Sequence, residues 1–350
     1  MKIMTLLGKR SEIIKLSLIV KVIDQHAEHI LVHTGENSDE NLSDIFFRDL
    51  EIRTPDIDLR DKGADASPGD LERKAATLIR EFTPDRILVI GNSMSSVAAA
   101  VHGGAAIYQL DAGRRESDAI DNSSRAVDAA SHVLMPFSQL DRDNLLKDGV
   151  EDPRIFVVGS PVREVLDSFD DRIEASGVMS ALGVNPFDFF LTTIHRKENL
   201  ERETLSKIVA VLGAIAEKFG KTVLFAAHPE TAGKIEEYKF AAPPKVRMLR
   251  ALNYFDLVKL EKNALAVISD STTMQEECAV LRVPNITLRS TTPRKDTVAC
   301  GSNMLAGVET EDILRAIEIS IAQPAGWDPP AEYLRTNVSQ IVSKILLSAK

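Results

Sequence analysis

The sequence predicts an α/β protein built from two Rossmann-like domains, each with a doubly wound parallel sheet. Short apolar runs alternate with amphipathic helical stretches along the whole chain. These runs are too continuously apolar for a half-exposed antiparallel sheet, which favours strands that are buried on both faces. A chain of 350 residues is also too long for one ordinary core, so two domains are expected.

The predicted strands and helices follow directly from this alternation. In the first half the expected strands are Met1–Leu7, His29–His33, Arg86–Ile90, Ala105–Leu110, His132–Met135 and Ile155–Val158. In the second half they are Phe189–Thr193, Thr222–Ala226, Val246–Met248, Ala266–Ile268 and Asn285–Leu288. Helical periodicity is found in Glu12–Asp24, Ser95–His102, Glu201–Phe219 and Thr310–Ala322, and a final helix is expected over Ala331–Leu347.

The boundary between the domains is expected in the turn Gly159–Pro161 and the charged helix that follows it, Val162–Phe169. We therefore predict an N-terminal domain over residues 1–165 and a C-terminal domain over residues 170–325. A fresh strand begins soon after Pro186, as expected for the start of a second sheet.

Composition excludes several classes of protein. The chain has 42 Lys and Arg against 52 Asp and Glu, and a net charge of −10 argues against a broad nucleic-acid surface. No apolar run reaches the roughly 18 residues that a membrane span needs. The two cysteines, Cys278 and Cys300, are too few for a disulfide framework or a cysteine-based metal site. A cytoplasmic protein without a structural metal is expected.

In the first half, polar segments follow the predicted strands where a parallel sheet places its ligand. The turn after the first strand carries Gly8 and Arg10, which suit an anion through backbone N–H groups and a guanidinium. Asn92 follows the strand that ends at Ile90. Asp111 stands beside two arginines, which would keep its carboxyl ionised, either as a base or as a salt-bridge anchor.

The second half offers a comparable set of polar groups. His195 follows a buried strand, and its ordinary pKa near neutrality suits proton transfer or a diphosphate contact. Ser271, Thr272 and Thr273 begin a helix whose free N–H groups suit a diphosphate. Glu277 lies further along that helix, where a carboxylate can accept hydrogen bonds from the two hydroxyls of a ribose. Phe255, next to Tyr254, offers a flat face to a base, although a role in the core is equally compatible with the sequence.

In this order, these segments resemble the non-hydrolysing UDP-N-acetylglucosamine 2-epimerase family. The matching segments are Gly8, Arg10, Glu12–Lys15, His33–Gly35, Phe46–Phe47, Asp49–Leu50, Ala112–Gly113, Arg115, His195–Arg196, Glu198–Asn199, Ser269–Ser271, Gln275–Glu277, Leu288–Arg289, Thr291–Thr292 and Arg294. They extend from the N-terminus to about residue 310.

The resemblance implies a GT-B-like architecture, in which two Rossmann-like domains hold the ligand in a cleft and a C-terminal helix, here within residues 331–350, returns to the first domain. It implies that Ser271, Thr272 and Thr273 face the pyrophosphate of UDP and that Glu277 faces the ribose. By the same resemblance, Phe255 lies in the uracil region. Arg10, Arg125 and His195 would contact the phosphates.

The chemistry implied is inversion of C2 in a UDP-2-acetamido sugar, by elimination of UDP and its re-addition. The resemblance implies neither a metal nor a nicotinamide cofactor, and it implies a homodimer. The resemblance, rather than any particular residue, implies the class of sugar. The corresponding reaction is the conversion of UDP-GlcNAc to UDP-ManNAc. An enzyme of polysaccharide biosynthesis is therefore expected.

This chain departs from the family pattern around the proton-transfer groups. Asn92 replaces a family aspartate, and an amide neither takes nor gives a proton at neutral pH. Asp111 replaces a glutamate and is one methylene shorter. Asp121 and Asn122 occupy the segment in which the family has a further carboxylate, and this chain has a deletion next to that segment.

The candidate catalytic residues are Asp111, His195, Asp121, Asn92 and Asn122. Two hypotheses remain open at this stage. Either the chain epimerises a UDP-sugar, or it is a UDP-sugar-binding homologue that transfers or hydrolyses the sugar or has lost activity.

Overall fold

A computed structural model describes residues 1–36, 43–60, 68–93, 96, 104–116, 118–250, 252–323 and 326–348. The chain divides into two compact units. Unit 1 comprises Met1–Ser168 together with Ala331–Lys350, and unit 2 comprises Phe169–Pro330. Each unit is described by itself.

Unit 1 contains a six-stranded sheet whose neighbouring strands are all parallel. Its strands are β1 (Lys2–Leu7), β2 (Glu28–His33), β3 (Ile57–Asp58), β4 (Arg86–Ile90), β5 (Ala106–Leu110) and β6 (Val133–Met135). Their order is β3-β2-β1-β4-β5-β6, so the winding reverses between β1 and β4. In such sheets the ligand lies at the carboxyl ends of the strands at this reversal.

Helices connect these strands and cover the sheet. They are α1 (Arg10–His26), α2 (Asp44–Asp49), α3 (Pro68–Phe82), α4 (Asp118–Ala130), α5 (Gln139–Lys147) and α6 (Val162–Ser168). The apolar residues of β1, β2 and β4 form a core with Ile79 of α3. Five of the six residues of β1 are buried, as expected for a central parallel strand.

The C-terminal segment belongs to unit 1 because specific contacts hold it there. It forms a 3₁₀ turn (Ala331–Leu334) and a final helix (Val338–Leu347) that packs on α1. The buried Arg86 donates hydrogen bonds to the carbonyls of Leu346 and Ser348. Glu164 accepts hydrogen bonds from the backbone N–H and the hydroxyl of Ser339. These bonds join residues more than 170 positions apart in the sequence.

Unit 2 repeats the topology of unit 1. Its parallel strands are β7 (Phe189–Thr193), β8 (Thr222–Ala226), β9 (Val246–Leu249), β10 (Ala266–Ser269), β11 (Asn285–Thr287) and β12 (Asn303–Leu305), in the order β12-β11-β10-β7-β8-β9. The winding reverses between β7 and β10, whose last residues, Thr193 and Ser269, are paired in register. This pair corresponds in position to β1 and β4 of unit 1.

The helices of unit 2 lie on both faces of its sheet. They are α7 (Asp170–Glu174), α8 (Val178–Leu182), α9 (Lys197–Leu200), α10 (Arg202–Phe219), α11 (Pro229–Tyr238), α12 (Tyr254–Lys262), α13 (Thr272–Leu281), α14 (Lys295–Ala299) and α15 (Thr310–Ala322); the final helix of the chain is α16 (Val338–Leu347) of unit 1. One core packs α10 and α15 on the sheet, and the other packs α12 and α13 on it. None of the helices in the described ranges combines the length and apolar character of a membrane span.

The structure confirms most predicted elements and corrects some of them. Ile155–Val158 is not a strand, because Ile155 makes only an isolated bridge to Leu134 after a 3₁₀ turn. The short strands β3 and β12 at the sheet edges were not predicted. The expected helix over Ala331–Leu347 is interrupted before Val338. Apart from Ser96, the predicted helix Ser95–His102 lies outside the described residues.

Candidate functional site

The turn between β1 and α1 is built on a glycine and a capping glutamate. A Cβ atom at Gly8 would lie 2.1 Å from the Oγ1 atom of Thr34, so a side chain does not fit there. Glu12 accepts hydrogen bonds from the N–H groups of Gly8 at 2.8 Å and Lys9 at 3.2 Å. The guanidinium of Arg10 lies 5.9 Å from the centroid of the Phe46 ring. The structure thus places Arg10 at the sheet reversal of unit 1.

The capping carboxyl of Glu12 is buried beside a second carboxylate. Burial is the main reason that its pKa rises to about 7, and the negative charge of Glu36 raises it further. Lys9, whose ammonium lies 3.1 Å from Glu36, opposes that rise. Glu12 therefore titrates near neutral pH in the folded protein.

We expect Glu12→Gln to flatten the dependence of stability on pH. With a folded pKa of about 7, Glu12 binds its proton more tightly in the native state, so stability declines as pH rises from about 4.5 to 7. Glutamine removes this contribution and still serves in a capping box. Urea unfolding at pH 5 and pH 8 should show a decline about 1–3 kcal/mol smaller than in the wild type. The exposed control Glu28→Gln should not reduce the decline; an equal decline in Glu12→Gln would contradict the prediction.

Asp111 and Asn92 lie in one polar cluster at the ends of β4 and β5. Asp111 is buried and adopts a left-handed backbone conformation with φ of 58°, which aspartate tolerates better than most residues. Arg114 donates a hydrogen bond of 2.9 Å to the Oδ1 atom of Asn92, and its guanidinium lies 3.5 Å from the Asp111 carboxylate. The amide of Asn92 donates to the hydroxyl of Ser123 at 3.1 Å. Asn92 is thus linked to the Asp111 site through Arg114.

A second network surrounds Arg115 and reaches Arg125. The guanidinium of Arg115 lies 2.7 Å from both Asp128 and Asp148, which raises the pKa of Arg115 against the opposing effect of burial. Burial raises the pKa of Asp128 despite the attraction of Arg115. Arg125 lies 3.3 Å from Asp148 and is partly exposed. The sequence offered no signal for Asp128 as a member of this site.

The remaining candidates of unit 1 lie on α4. Asn122 is exposed near the beginning of this helix. Asp121 is the preceding residue, and its side chain lies outside the described part of the chain. The backbone of α4 also carries Ser123, which contacts Asn92. The structure therefore associates the α4 segment with the Asn92 cluster.

His195 follows β7 and lies against a buried carboxylate. Its Nδ1 atom is 3.0 Å from the Oδ1 atom of Asp270, which follows the neighbouring strand β10. Asp270 also accepts hydrogen bonds from the backbone N–H of Arg196 at 3.0 Å and from the amide of Asn199 at 2.9 Å. The His195 side chain is 34% exposed, whereas the Asp270 side chain is fully buried. His228 lies nearby, with 6.0 Å between the ring centroids.

The helix α13 begins after β10, where the sequence predicts a helix start. Ser271 is the N-cap, and its hydroxyl accepts a hydrogen bond from the N–H of Met274 at 3.5 Å. Thr272 and Thr273 are the first two residues of the helix, where N–H groups have no intrahelical partner. The Ser269 hydroxyl lies 2.7 Å from that of Thr193 and accepts the N–H of Ser271. This bridge joins the helix start to the strand that leads to His195.

Glu277 belongs to a buried group of acidic side chains. The Tyr254 hydroxyl donates a hydrogen bond of 3.3 Å to Glu277. Burial raises the pKa of Glu261 well above its ordinary value, and the neighbouring charge of Glu277 adds to this shift. Glu261 accepts a hydrogen bond from the thiol of Cys278 at 3.1 Å. Sequence patterns did not indicate Glu261, because it lies on a different helix, α12.

Phe255 is buried in the packing of unit 2. Its ring centroid lies 5.7 Å from that of Phe169, and the guanidinium of Arg172 lies 4.3 Å from the Phe255 centroid. The ring is 7% exposed. The contacts of the described residues therefore place Phe255 in the core, which was the other role compatible with the sequence.

Arg294, at the next strand edge, forms a buried ion pair. Its Nε atom lies 2.7 Å from the carboxylate of Glu276, and both side chains are fully buried. The backbone N–H of Arg294 donates to the hydroxyl of Thr292 at 3.0 Å, and this hydroxyl donates to Gln275 at 2.6 Å. These contacts join the segment that follows β11 to Gln275 and Glu276 of α13.

The comparison with known proteins decides the family. The family model described as UDP-N-acetylglucosamine 2-epimerase matches residues 21–347. The chain belongs to the UDP-N-acetylglucosamine 2-epimerase family. The UDP-N-acetylglucosamine 2-epimerase of Methanocaldococcus jannaschii is 30% identical over 348 residues, which cover 94% of this chain and 95% of that protein. The predicted resemblance is therefore confirmed.

A further relative and a solved structure extend this comparison. A UDP-2,3-diacetamido-2,3-dideoxy-D-glucuronate 2-epimerase of Pseudomonas aeruginosa is 30% identical and covers 92% of this chain and 93% of its own length. The crystal structure of the M. jannaschii enzyme in complex with UDP-GlcNAc and UDP superimposes with a TM-score of 0.92, at 29% identity and 99% coverage of both chains. The predicted GT-B-like α/β fold class is confirmed by this match.

Proposed function

We propose that this family member inverts C2 of a UDP-2-acetamido sugar, by elimination of UDP and its re-addition. The observation that carries the proposal is the reversal point of the unit 2 sheet. There, β7 leads to His195 and its neighbour β10 leads to Ser271, with Thr193 and Ser269 hydrogen-bonded to each other. Ligands of parallel α/β sheets bind at this position, and a helix N-terminus there favours a diphosphate.

Unit 2 supplies the groups that we propose for UDP. Ser271, Thr272 and Thr273 would hold the pyrophosphate through hydroxyl groups and the N–H groups of the first helical turn. Glu277 would accept the ribose hydroxyls. His195 would contact a phosphate, and Phe255 would contribute packing near the uracil. The M. jannaschii relative, whose structure contains UDP-GlcNAc and UDP, supports a UDP-sugar as the partner.

Unit 1 supplies the groups that we propose for proton transfer. Asp111 is the carboxylate of the Asn92 cluster that can take the C2 proton, with Arg114 as its counter-ion at 3.5 Å. Asn92 and Asn122 would serve as hydrogen-bonding groups, and Asp121 on α4 would be a second carboxylate for proton transfer. Arg10 and Arg125 would stabilise the negative charge of the departing UDP.

Incubation with UDP-GlcNAc in D2O tests the proposal. An epimerase must incorporate deuterium at C2 of the recovered nucleotide sugar and form UDP-ManNAc. UDP should also raise the melting temperature, as any ligand that binds only the native state does. Free UDP without a C2-inverted nucleotide sugar would instead identify a hydrolase or a transferase. Unchanged UDP-GlcNAc and no thermal shift at millimolar UDP would overturn the proposal.

We further propose that the enzyme acts in polysaccharide biosynthesis in the cytoplasm as a homodimer. Its two cysteines are both free thiols, and Cys278 is buried, which suits a reducing compartment. The dimer rests on the family resemblance. Light scattering at micromolar concentration measures the mass directly, and a value near the 38.4 kDa of one chain would contradict the dimer.

A further inference from the structure

We infer that Asp270 is a positioning residue that fixes the tautomer and orientation of His195. In this arrangement the proton of the neutral ring resides on Nδ1, and Nε2 is the nitrogen that serves the ligand. The inference deepens the proposed function and rests on it for its catalytic consequence. Its structural part, the tautomer of His195, can be measured without any substrate.

Hydrogen bonds from neighbouring donors hold the Asp270 carboxylate beside the imidazole of His195. Its Oδ2 atom accepts hydrogen bonds from the N–H of Arg196 at 3.0 Å and from the Asn199 amide at 2.9 Å. The N–H of His195 lies 3.2 Å from both carboxylate oxygens. These donors come from the single segment that follows β7. The same segment carries the imidazole, so the ring and its carboxylate partner are aligned by one short stretch of chain.

The ionised state of Asp270 determines which ring nitrogen carries the proton. Burial alone would raise the pKa of this carboxyl, but His195, Asn199 and the N–H of Arg196 together lower it below its usual value. An ionised carboxylate only accepts hydrogen bonds. Nδ1 lies 3.0 Å from Oδ1. An unprotonated Nδ1 would place its lone pair beside the negative carboxylate, so the proton is favoured on Nδ1. The lone pair of the neutral ring then lies on Nε2.

This arrangement suits both roles proposed for His195. The neutral ring offers the Nε2 lone pair as a base, and the protonated ring offers an Nε2–H donor to a phosphate oxygen. Asp270 stabilises the protonated ring by its charge. Among the other charged or titratable groups of this region, His228 faces the ring from the β8–α11 turn, and Arg196 is paired with Glu198.

The tautomer can be read directly by NMR of the full chain containing 15N-labelled histidine. Long-range proton–nitrogen correlations distinguish an Nδ1–H ring from an Nε2–H ring. The variants His195→Asn and His228→Gln assign the two neighbouring rings. We expect the neutral His195 of the wild type to carry its proton on Nδ1, and an Nε2–H signal there would overturn the inference. This measurement does not depend on the folding of an Asp270 variant.

The variant Asp270→Asn is expected to reverse the tautomer. The Asn oxygen can keep the bonds from Arg196 and Asn199, and its NH2 group then donates to Nδ1 and moves the ring proton to Nε2. C2 exchange in D2O should fall about 10- to 100-fold, with its pH profile displaced. Asn199→Ala, which removes one anchor of Asp270, should give smaller changes in the same direction.

Glu261→Gln is the matched control, because it removes an equally buried carboxyl from unit 2. It should leave the tautomer of His195 unchanged. If Asp270→Asn keeps the Nδ1–H tautomer and the wild-type pH profile of exchange, Asp270 is not a positioning residue, while the proposed function stands. If the wild type shows no exchange with a UDP-sugar, the proposed function fails, and the tautomer measurement still decides the arrangement of the pair.

Discussion

Replacement of Asp111 by asparagine should reduce C2 deuterium exchange by about 10²- to 10⁴-fold, the usual contribution of a general base. Asparagine has the same shape and also tolerates the left-handed conformation that Asp111 adopts, so the loop should keep its structure. The amide cannot accept the C2 proton. The loss should therefore appear in kcat and kcat/KM for exchange together, measured by the rate of deuterium incorporation.

The control for this experiment is Asp141→Asn. Asp141 is another buried aspartate of unit 1, located in the first turn of α5, where its N–H is bound by Ser138. Its exchange rate should remain near that of the wild type, and UDP should raise the melting temperature of both variants. Retention of exchange in Asp111→Asn would remove Asp111 from the proton-transfer step. The Asp121 carboxyl on α4 would then be the next base to test.

Replacement of Glu276 by alanine should have the largest effect on stability. Glu276 and Arg294 form an ion pair at 2.7 Å with both side chains fully buried. Removal of one partner leaves a buried charge without its counter-charge, which costs about 3–5 kcal/mol. Urea denaturation should report this loss as a lower midpoint with little change in slope.

Two comparisons separate the charge effect from a general effect of truncation. Glu318→Ala removes an exposed partner of Lys218 in the same unit and should change stability by less than about 1 kcal/mol. The double variant Glu276→Leu with Arg294→Met should recover part of the loss, because paired apolar side chains leave no buried charge. A loss below about 1 kcal/mol in Glu276→Ala would show that this pair does not stabilise the beginning of α13.

The left-handed backbone conformation of Asp111 is relevant to the presence of aspartate where the family pattern has glutamate. The Asp111 backbone has a φ of 58°, which is strained for most side chains that carry a Cβ atom, whereas Asp and Asn are enriched there. An aspartate therefore suits this backbone conformation, and its carboxylate lies beside Arg114, which also binds Asn92. Arg114 contacts both departures, through an ion pair with Asp111 and a hydrogen bond to Asn92, so we regard the two replacements as coupled rather than independent.

The sequence by itself determined the α/β class, most of the strands and the residues at their carboxyl ends. This information is local: continuous apolar runs such as Phe189–Thr193 predict buried parallel strands, and the polar residues that follow them in the chain must lie at the sheet edge. His195 and Ser271–Thr273 were predicted in this way. The prediction needed no knowledge of which strands are neighbours.

Only the tertiary structure decided which groups meet. Asp270 contacts His195 from 75 positions away, and Arg114 reaches Asn92 across 22 positions, because strand order brings separate loops to one edge. The edge strand β3 has only two residues, too few for a periodic pattern. The burial of Arg294 also depends on its distant partner Glu276. Such pairings depend on strand order and packing, which residues close in the sequence do not specify.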